Sequence, residues 1–289
     1  MFAAPFDYYR AGSIGEAHQL LREHPGAKLL AGGHSLIPLM KMRLATPPAV
    51  VDIGRIAELK GISAKGTALR IGSLTTHAEL ASSPELASAC PLLAEAAGTI
   101  GDPQIRNVGT IGGNVAHADP ASDLPAVLLA LDATVHVAGQ NGARTIPIGE
   151  FFQGMMTTAL GSDEILTAIE VPAKRAGQGT AYVKFRHPAS GYAVLGVAAV
   201  VSVADGAVAA AQVAIGGLLP AAVRCGDVER AIVRQRVTPQ TVARAAAEVQ
   251  RALNDEVMGD IFASAEYRRA MAPVYVGRAL TLAAARTAS

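Results

Sequence analysis

Two segments of the 289-residue chain carry residue types that could do chemistry at short spacing: Ala31-Gly32-Gly33-His34-Ser35-Leu36 and Thr110-Ile111-Gly112-Gly113-Asn114. Each sets paired glycines at or near a turn, where the missing Cβ atoms let backbone N–H groups approach a bound anion closely. Ser35 also falls at an expected helix start, where unpaired N–H groups and the helix dipole favour phosphate. Two such loops could grip one pyrophosphate, whereas either alone reads equally well as a plain turn. His34 and His117 lie in or beside the loops, but no third ligand accompanies them at metal spacing. Zinc sites take three or more protein groups, so both histidines read as lining or hydrogen-bonding residues and no metal is expected.

Competing motifs fail. No G-x-G-x-x-G opens a helix after a strand, and there is neither a Walker sequence nor an H-E-x-x-H. Gly33-His34-Ser35-Leu36-Ile37 has the outline of a nucleophile elbow, but Ile37 stands where the sharp turn requires glycine.

The elements that must hold these loops divide the chain into three units: 1–58, 59–176 and 177–289. In the first, Ser13-Ile14-Gly15-Glu16 has capping-box spacing and predicts a helix to His24, stopped by Pro25-Gly26. Lys28 to Ala31 reads as a strand, Ser35 to Arg43 as a helix with Pro38 in its first turn, and Val50 to Ile53 as the next strand. The second unit reads as strand Ala68 to Gly72, helices Thr76 to Ala81, Leu92 to Thr99 and Leu124 to Leu131, and strands Thr134 to Val137 and Ile165 to Val171. Between Gly101 and Asp123 periodicity fails, which predicts a long irregular and functional segment. From Thr180 consecutive strands follow, Tyr182 to Arg186, Val194 to Val203 and Ala207 to Ile215, the last two joined at Asp205-Gly206 as a tight hairpin. Thr238 to Asn254 and Ala265 to Arg286 read as helices, so the third unit is α+β.

Composition bounds the function. Lys plus Arg total 25 against 24 for Asp plus Glu, giving no general attraction for nucleic acid or anionic membranes. Cys90 and Cys225 are too few for a disulfide framework, a four-thiolate zinc site or a Cys-ligated iron–sulfur cluster, and fit a reducing cytoplasm. Hydrophobic residues make up 51% with no Trp, so Ala, Val, Leu and Ile fill the cores. The N-terminus lacks the order of a secretory signal. The most apolar stretch, Ala193 to Ala204, is shorter than the roughly 18 residues a membrane span needs.

AGGHSLIPLMKMRL (31–44) with TIGGNVAHADPASDLPAVLLALDA (110–133) closely resembles the FAD-binding medium subunit of molybdenum hydroxylases of the carbon monoxide dehydrogenase type, with the FAD domain of xanthine dehydrogenase as a more distant relative. The likeness runs on through Asp163-Glu164-Ile165-Leu166 and Tyr182-Val183-Lys184-Phe185-Arg186 to the helical C-terminus. It implies an α+β, split two-subdomain FAD-binding fold (PCMH-type) followed by a C-terminal three-stranded antiparallel sheet with helices. It carries cofactor contacts onto Leu29, Leu30, Ala31, Gly32, Gly33, His34, Ser35 and Leu36, and onto Thr110, Ile111, Gly112, Gly113 and Asn114. Ile100, Asp123, Leu166, Lys184 and Tyr192 complete the set, Tyr192 as the aromatic that controls access to the flavin ring. Lys184 and the loop amides are the candidates for stabilising negative charge on the reduced flavin. Each has a plainer reading: Ile100 and Leu166 as core, Asp123 as a helix N-cap, Lys184 as an exposed strand residue.

The resemblance further implies FAD as cofactor and electron relay as activity. The molybdenum cofactor would sit on a large subunit and two [2Fe-2S] clusters on a small one, in a dimer of heterotrimers in the cytoplasm. A stand-alone FAD-dependent oxidase or reductase and a cofactor-free scaffold subunit are the alternatives. The substrate, whether carbon monoxide, a purine, an N-heterocycle or an aldehyde, and the electron acceptor stay open.

Overall fold

The computed structural model describes residues 2–140 and 142–288. The chain opens with β1 (Asp7–Arg10), α1 (Ile14–Glu23), β2 (Lys28–Leu30), α2 (Leu36–Lys41) and β3 (Ala49–Asp52). The three strands form a parallel sheet in the order β1-β3-β2. Ser13 Oγ accepts the Glu16 N–H at 3.1 Å, and the Glu16 carboxylate reaches back to the Gly12 N–H at 2.7 Å, so the expected pair of residues does start α1. β1, four mostly exposed residues, was not expected from the sequence.

β4 (Ile62–Lys65) and β5 (Ala68–Gly72) begin the second unit. A run of short helices follows: α3 (His77–Ser82), α4 (Pro84–Ala89), α5 (Pro91–Gly98), α6 (Pro103–Val108), α7 (Ile111–His117) and α8 (Leu124–Ala130). The segment 101–123, expected to be irregular, therefore holds two helices. Asp102 Oδ1 accepts the Ile105 N–H at 2.9 Å to start α6, with Pro103 in its first turn. Thr110 Oγ1 accepts the Gly113 N–H at 3.1 Å to start α7. Both are held by their caps, and at two turns or less neither is long enough to show a periodic apolar face. α8 is buried on every side and packs between this unit and the next.

β6 (Thr134–Gly139), β7 (Gly142–Pro147), the one-turn α9 (Ile148–Phe151), the small hairpin β8 (Phe152–Gly154) and β9 (Thr157–Thr158), and β10 (Ile165–Pro172) complete the unit. Its five-stranded sheet runs β4-β5-β10-β6-β7, every pairing antiparallel, with Ile169 opposite Ile71 on one side and Val135 on the other. That central position explains the nearly unbroken burial of β10.

The third unit is a sheet of four strands, not three: β11 (Gln178–Arg186), β12 (Ala193–Ala204), β13 (Ala207–Gly216) and the two-residue β14 (Val223–Arg224). Two residues paired to Ile215 and Ala214 leave no pattern a sequence reading can register. Asp205 and Gly206 take φ of 53° and 75°, the left-handed pair that a tight hairpin demands. α10 (Gly226–Ile232), α11 (Pro239–Ala247) and α12 (Ala265–Ala285) cover one face of this sheet. The other face, with Tyr182, Ala198, Val200 and Ala214, shares one apolar core with α5 and α8 of the second unit. Among the described residues no helix is long and apolar enough to cross a membrane, and no cluster of His, Cys, Asp and Glu could hold a metal.

Candidate functional site

All three units meet around one cavity of about 1040 Å³, at the upper end of the range for small-molecule sites. Of the residues expected to contact a cofactor, Leu29 to Leu36, Ile100, Thr110, Gly112, Gly113, Asn114, Asp123, Leu166 and Tyr192 line it. Ile111 and Lys184 do not. Ile111 is fully buried in the apolar core beneath α7, and Lys184 is turned toward Asp123 and the Thr99 carbonyl, with its Nζ 3.3 Å from the latter.

The first loop leaves β2 and turns through Gly33, whose φ of +72° favours glycine. Gly32 needs its missing side chain for another reason: a Cβ there would overlap the Val108 carbonyl oxygen and stand 2.9 Å from the Gly109 Cα. The end of α6 is thus pressed against the first loop, and His34 Nε2, 3.3 Å from the Gln104 carbonyl, ties the two at a second point. Among the described residues, the N–H groups of Gly32, Gly33, His34 and Ser35 donate to no protein oxygen. Gly32, Gly33 and Ser35 are half-buried, where N–H groups are almost always paired, so this run beside a cavity forms a donor set suited to an oxygen-rich anion.

The second loop is built differently. Four of its five N–H groups are used inside the protein: Ile111 to the Thr75 carbonyl, Gly112 to the Ser73 carbonyl at 2.8 Å, Gly113 to Thr110 Oγ1 and Asn114 to the Thr110 carbonyl. Gly112 is glycine because α7 lies against Ser73, whose carbonyl oxygen would be 2.7 Å from a Cβ. The expectation that the second glycine pair also offers its N–H groups to an anion is therefore corrected: both are already bonded within the protein. This loop offers the cavity side chains, chiefly the Thr110 hydroxyl and the Asn114 amide, the latter oriented by a 2.7 Å bond that its Oδ1 accepts from Ser122 Oγ.

Asp123 is not a helix cap. Its side chain accepts no N–H from α8, and its oxygens take the Tyr182 hydroxyl at 2.6 Å and Lys184 Nζ at 2.9 Å. Burial pushes the carboxyl up and the ammonium down, while their attraction and the Tyr182 bond draw each back toward its charged form. Burial and the neighbouring carboxylate hold the Tyr182 phenol protonated, its pKa well above the usual tyrosine range. Tyr182 was missed in the sequence, although Gly196 signals it: a Cβ at 196 would overlap the Tyr182 hydroxyl. His77 and Ser73 also line the cavity unforeseen, each with a buried polar atom, Nδ1 and Oγ, that has no partner. His117 lines the cavity too, on the last turn of α7.

A large cleft between α/β units, walled by unpaired amides and apolar residues, is the kind of site that suits a large, partly anionic cofactor held between the units of a divided fold. The family model for the FAD binding domain in molybdopterin dehydrogenase matches residues 4–174, and that for the CO dehydrogenase flavoprotein C-terminal domain matches 180–283. The chain is 41% identical to the carbon monoxide dehydrogenase medium chain of Hydrogenophaga pseudoflava, covering 100% of both. It is 36% identical to the nicotine 6-hydroxylase medium subunit of Paenarthrobacter nicotinovorans, over 97% of this chain and 98% of the relative. The solved carbon monoxide dehydrogenase from H. pseudoflava matches with a TM-score of 0.96 over 99% of each chain, at 41% identity. Quinoline 2-oxidoreductase from Pseudomonas putida 86 matches with 0.95 over 100% of each, at 29% identity. The chain belongs to the FAD-binding medium-subunit family of the molybdenum hydroxylases, oxidoreductase flavoproteins whose molybdenum and iron–sulfur centres sit on partner subunits.

Proposed function

We propose that this chain takes electrons from [2Fe-2S] clusters on a small partner subunit and passes them to an external acceptor, while a large partner carries the molybdenum centre, in a cytoplasmic dimer of heterotrimers. The units 1–58, 59–176 and 177–289 act as two jaws and a lid-bearing base. The observation that carries this reading is the row of unpaired N–H groups from Gly32 to Ser35, on the wall of a dinucleotide-sized cavity that the Thr110–Asn114 segment closes from the other side. Bound FAD would supply the two-electron store that also exchanges single electrons.

The chain's own residues bind, orient and shield. The Gly32–Ser35 amides hold the diphosphate, with the Thr110 hydroxyl and Asn114 amide as orienting contacts. Asp123 presents a carboxylate locked by Tyr182 and Lys184, so Lys184 acts through Asp123 rather than on the ring. Leu29, Leu30, Ile100 and Leu166 exclude water, and Tyr192 guards the mouth. The test is analysis of the complex purified from its native source. Flavin, molybdenum and iron are expected in the ratio that one FAD, one molybdenum centre and two [2Fe-2S] clusters require, and removing the flavin should abolish electron delivery to the acceptor. A complex with metals but no flavin, or a deflavo complex that delivers electrons at the native rate, overturns the reading.

A further inference from the structure

The third unit reaches the cavity through one short loop: among the described residues, Ser190, Gly191 and Tyr192 are its only ones on the cavity wall. That loop, between β11 and β12, makes no regular secondary structure, yet its backbone donors are fully used. The His187 N–H donates to the Tyr192 carbonyl at 2.8 Å and the Gly191 N–H to the His187 carbonyl at 3.0 Å. The Tyr192 N–H donates to Ser190 Oγ at 3.3 Å. The Ala193 N–H donates to the Ala121 carbonyl at 3.1 Å, which anchors the end of the loop beside the second unit. Pro188 has no N–H. The two that remain, on Ala189 and Ser190, both donate to a single side-chain atom, His187 Nδ1, at 3.2 Å each.

We propose that His187 is the positioning residue that holds Tyr192 at the mouth of the FAD cavity, its Nδ1 serving as the common acceptor that closes the loop into one shape. Because Nδ1 spends its lone pair on two N–H groups, the ring proton sits on Nε2. The ring also meets the Phe262 ring edge-on with centroids 4.6 Å apart, and Phe262 in turn packs against Phe185. Gly191, at φ +74°, leaves room for the Arg186 guanidinium, which donates to the Gly101 carbonyl at 2.9 Å and pins the start of the loop to the segment after Ile100. Tyr192 itself is 44% exposed, and its backbone is held at both ends by this loop, through the carbonyl that accepts the His187 N–H and the N–H that donates to Ser190 Oγ. The loop therefore sets Tyr192 from behind, and His187 does not line the cavity.

The proposal rests on the FAD reading, and the experiment separates the two. In the intact complex, His187→Leu keeps the bulk against Phe262 but removes the acceptor, and His187→Asn returns an acceptor near the position of Nδ1. The reading is the second-order rate constant for reoxidation of the reduced flavin by dioxygen, alongside flavin content. H187L, which loses both bonds to Nδ1, should load FAD normally and reoxidise at least about fivefold faster, the population change that a single lost hydrogen bond already brings; H187N should stay near the wild-type rate. S190A, on an exposed loop and lacking the Oγ that accepts the Tyr192 N–H, should move the rate in the same direction, and it decides the matter if H187L does not assemble. A flavin-loaded H187L or S190A complex with the wild-type rate defeats the latch alone. A wild-type complex devoid of flavin defeats the cofactor assignment and the latch with it.

Discussion

Lys184 Nζ and the Asp123 carboxylate lie 2.9 Å apart with each side chain only 5% exposed, joining β11 to the start of α8 across the boundary between the second and third units. A buried pair of this kind contributes little beyond a well-packed apolar pair, but removing one partner strands a charge in dry surroundings. Asp123→Asn and Lys184→Met should each cost about 3–5 kcal/mol, and the double variant should recover most of that loss. Urea midpoints of the full chain test this: costs that simply add would mean the two side chains are not coupled. Tyr182→Phe, which removes one donor and leaves Lys184 in place, should cost about 1–3 kcal/mol.

Gly32→Ala should cripple cofactor binding more than Gly113→Ala. At Gly32 the new Cβ meets backbone on both sides, the Val108 carbonyl oxygen and the Gly109 Cα, and backbone cannot swing away as a side chain can. The first loop and the end of α6 would have to part, moving the unpaired amides. At Gly113 the nearest atom belongs to a side chain, the Thr110 hydroxyl at 2.9 Å, whose displacement costs one helix cap and moves no backbone. Titration of the apo-complex with FAD, followed by quenching of flavin fluorescence, should show at least about a tenfold weaker Kd for G32A, a loss near 1.4 kcal/mol. Equal affinities for the two variants would remove the packing argument.

The parts of this site written in local sequence were the legible ones. Paired glycines mark loops because only backbone can pass so close, and Asp205-Gly206 marks a hairpin because two left-handed residues are needed there. α6 and α7 were not legible, since Asp102 and Thr110 hold them by capping rather than by an apolar stripe. Tyr182 was not legible either: its partner Asp123 is 59 residues away, and the bond exists only because β11 is laid against α8. In the second glycine pair, spacing and geometry part company. Its spacing reads as an anion cradle, yet Gly112 is glycine to clear Ser73 and its N–H is already taken.

Cys90 and Cys225 should be inert in the folded chain. Both are buried, and burial pushes each thiol up to about 12. At pH 8 only about one in ten thousand would be thiolate, the reactive form. A chromogenic disulfide reagent should find no fast-reacting thiol in the native full chain and both in guanidinium. A native thiol reacting as quickly as free cysteine would contradict the burial and reopen the question of metal chemistry on this chain.

His77 predicts an acid sensitivity of the cavity wall. Burial above all, then His34 and Arg106, lower its imidazole from 6.5 to about 4. Between those values the unfolded chain binds a proton that the folded chain refuses, so the contribution to stability is complete above pH 6.5 and is lost as pH falls toward 4. The difference is worth about 3 kcal/mol. Acidic groups such as Glu164 and Glu170, held below their ordinary range by Arg144 and Lys65, also cost stability in acid, but they do so equally in a variant at 77. Urea midpoints of wild type and His77→Asn at pH 7.5 and 4.5 isolate the histidine: the wild type should lose about 2–3 kcal/mol more than the variant on acidification. If both lose the same amount, His77 titrates normally in the folded chain, and its unpartnered Nδ1 must instead be reached by solvent.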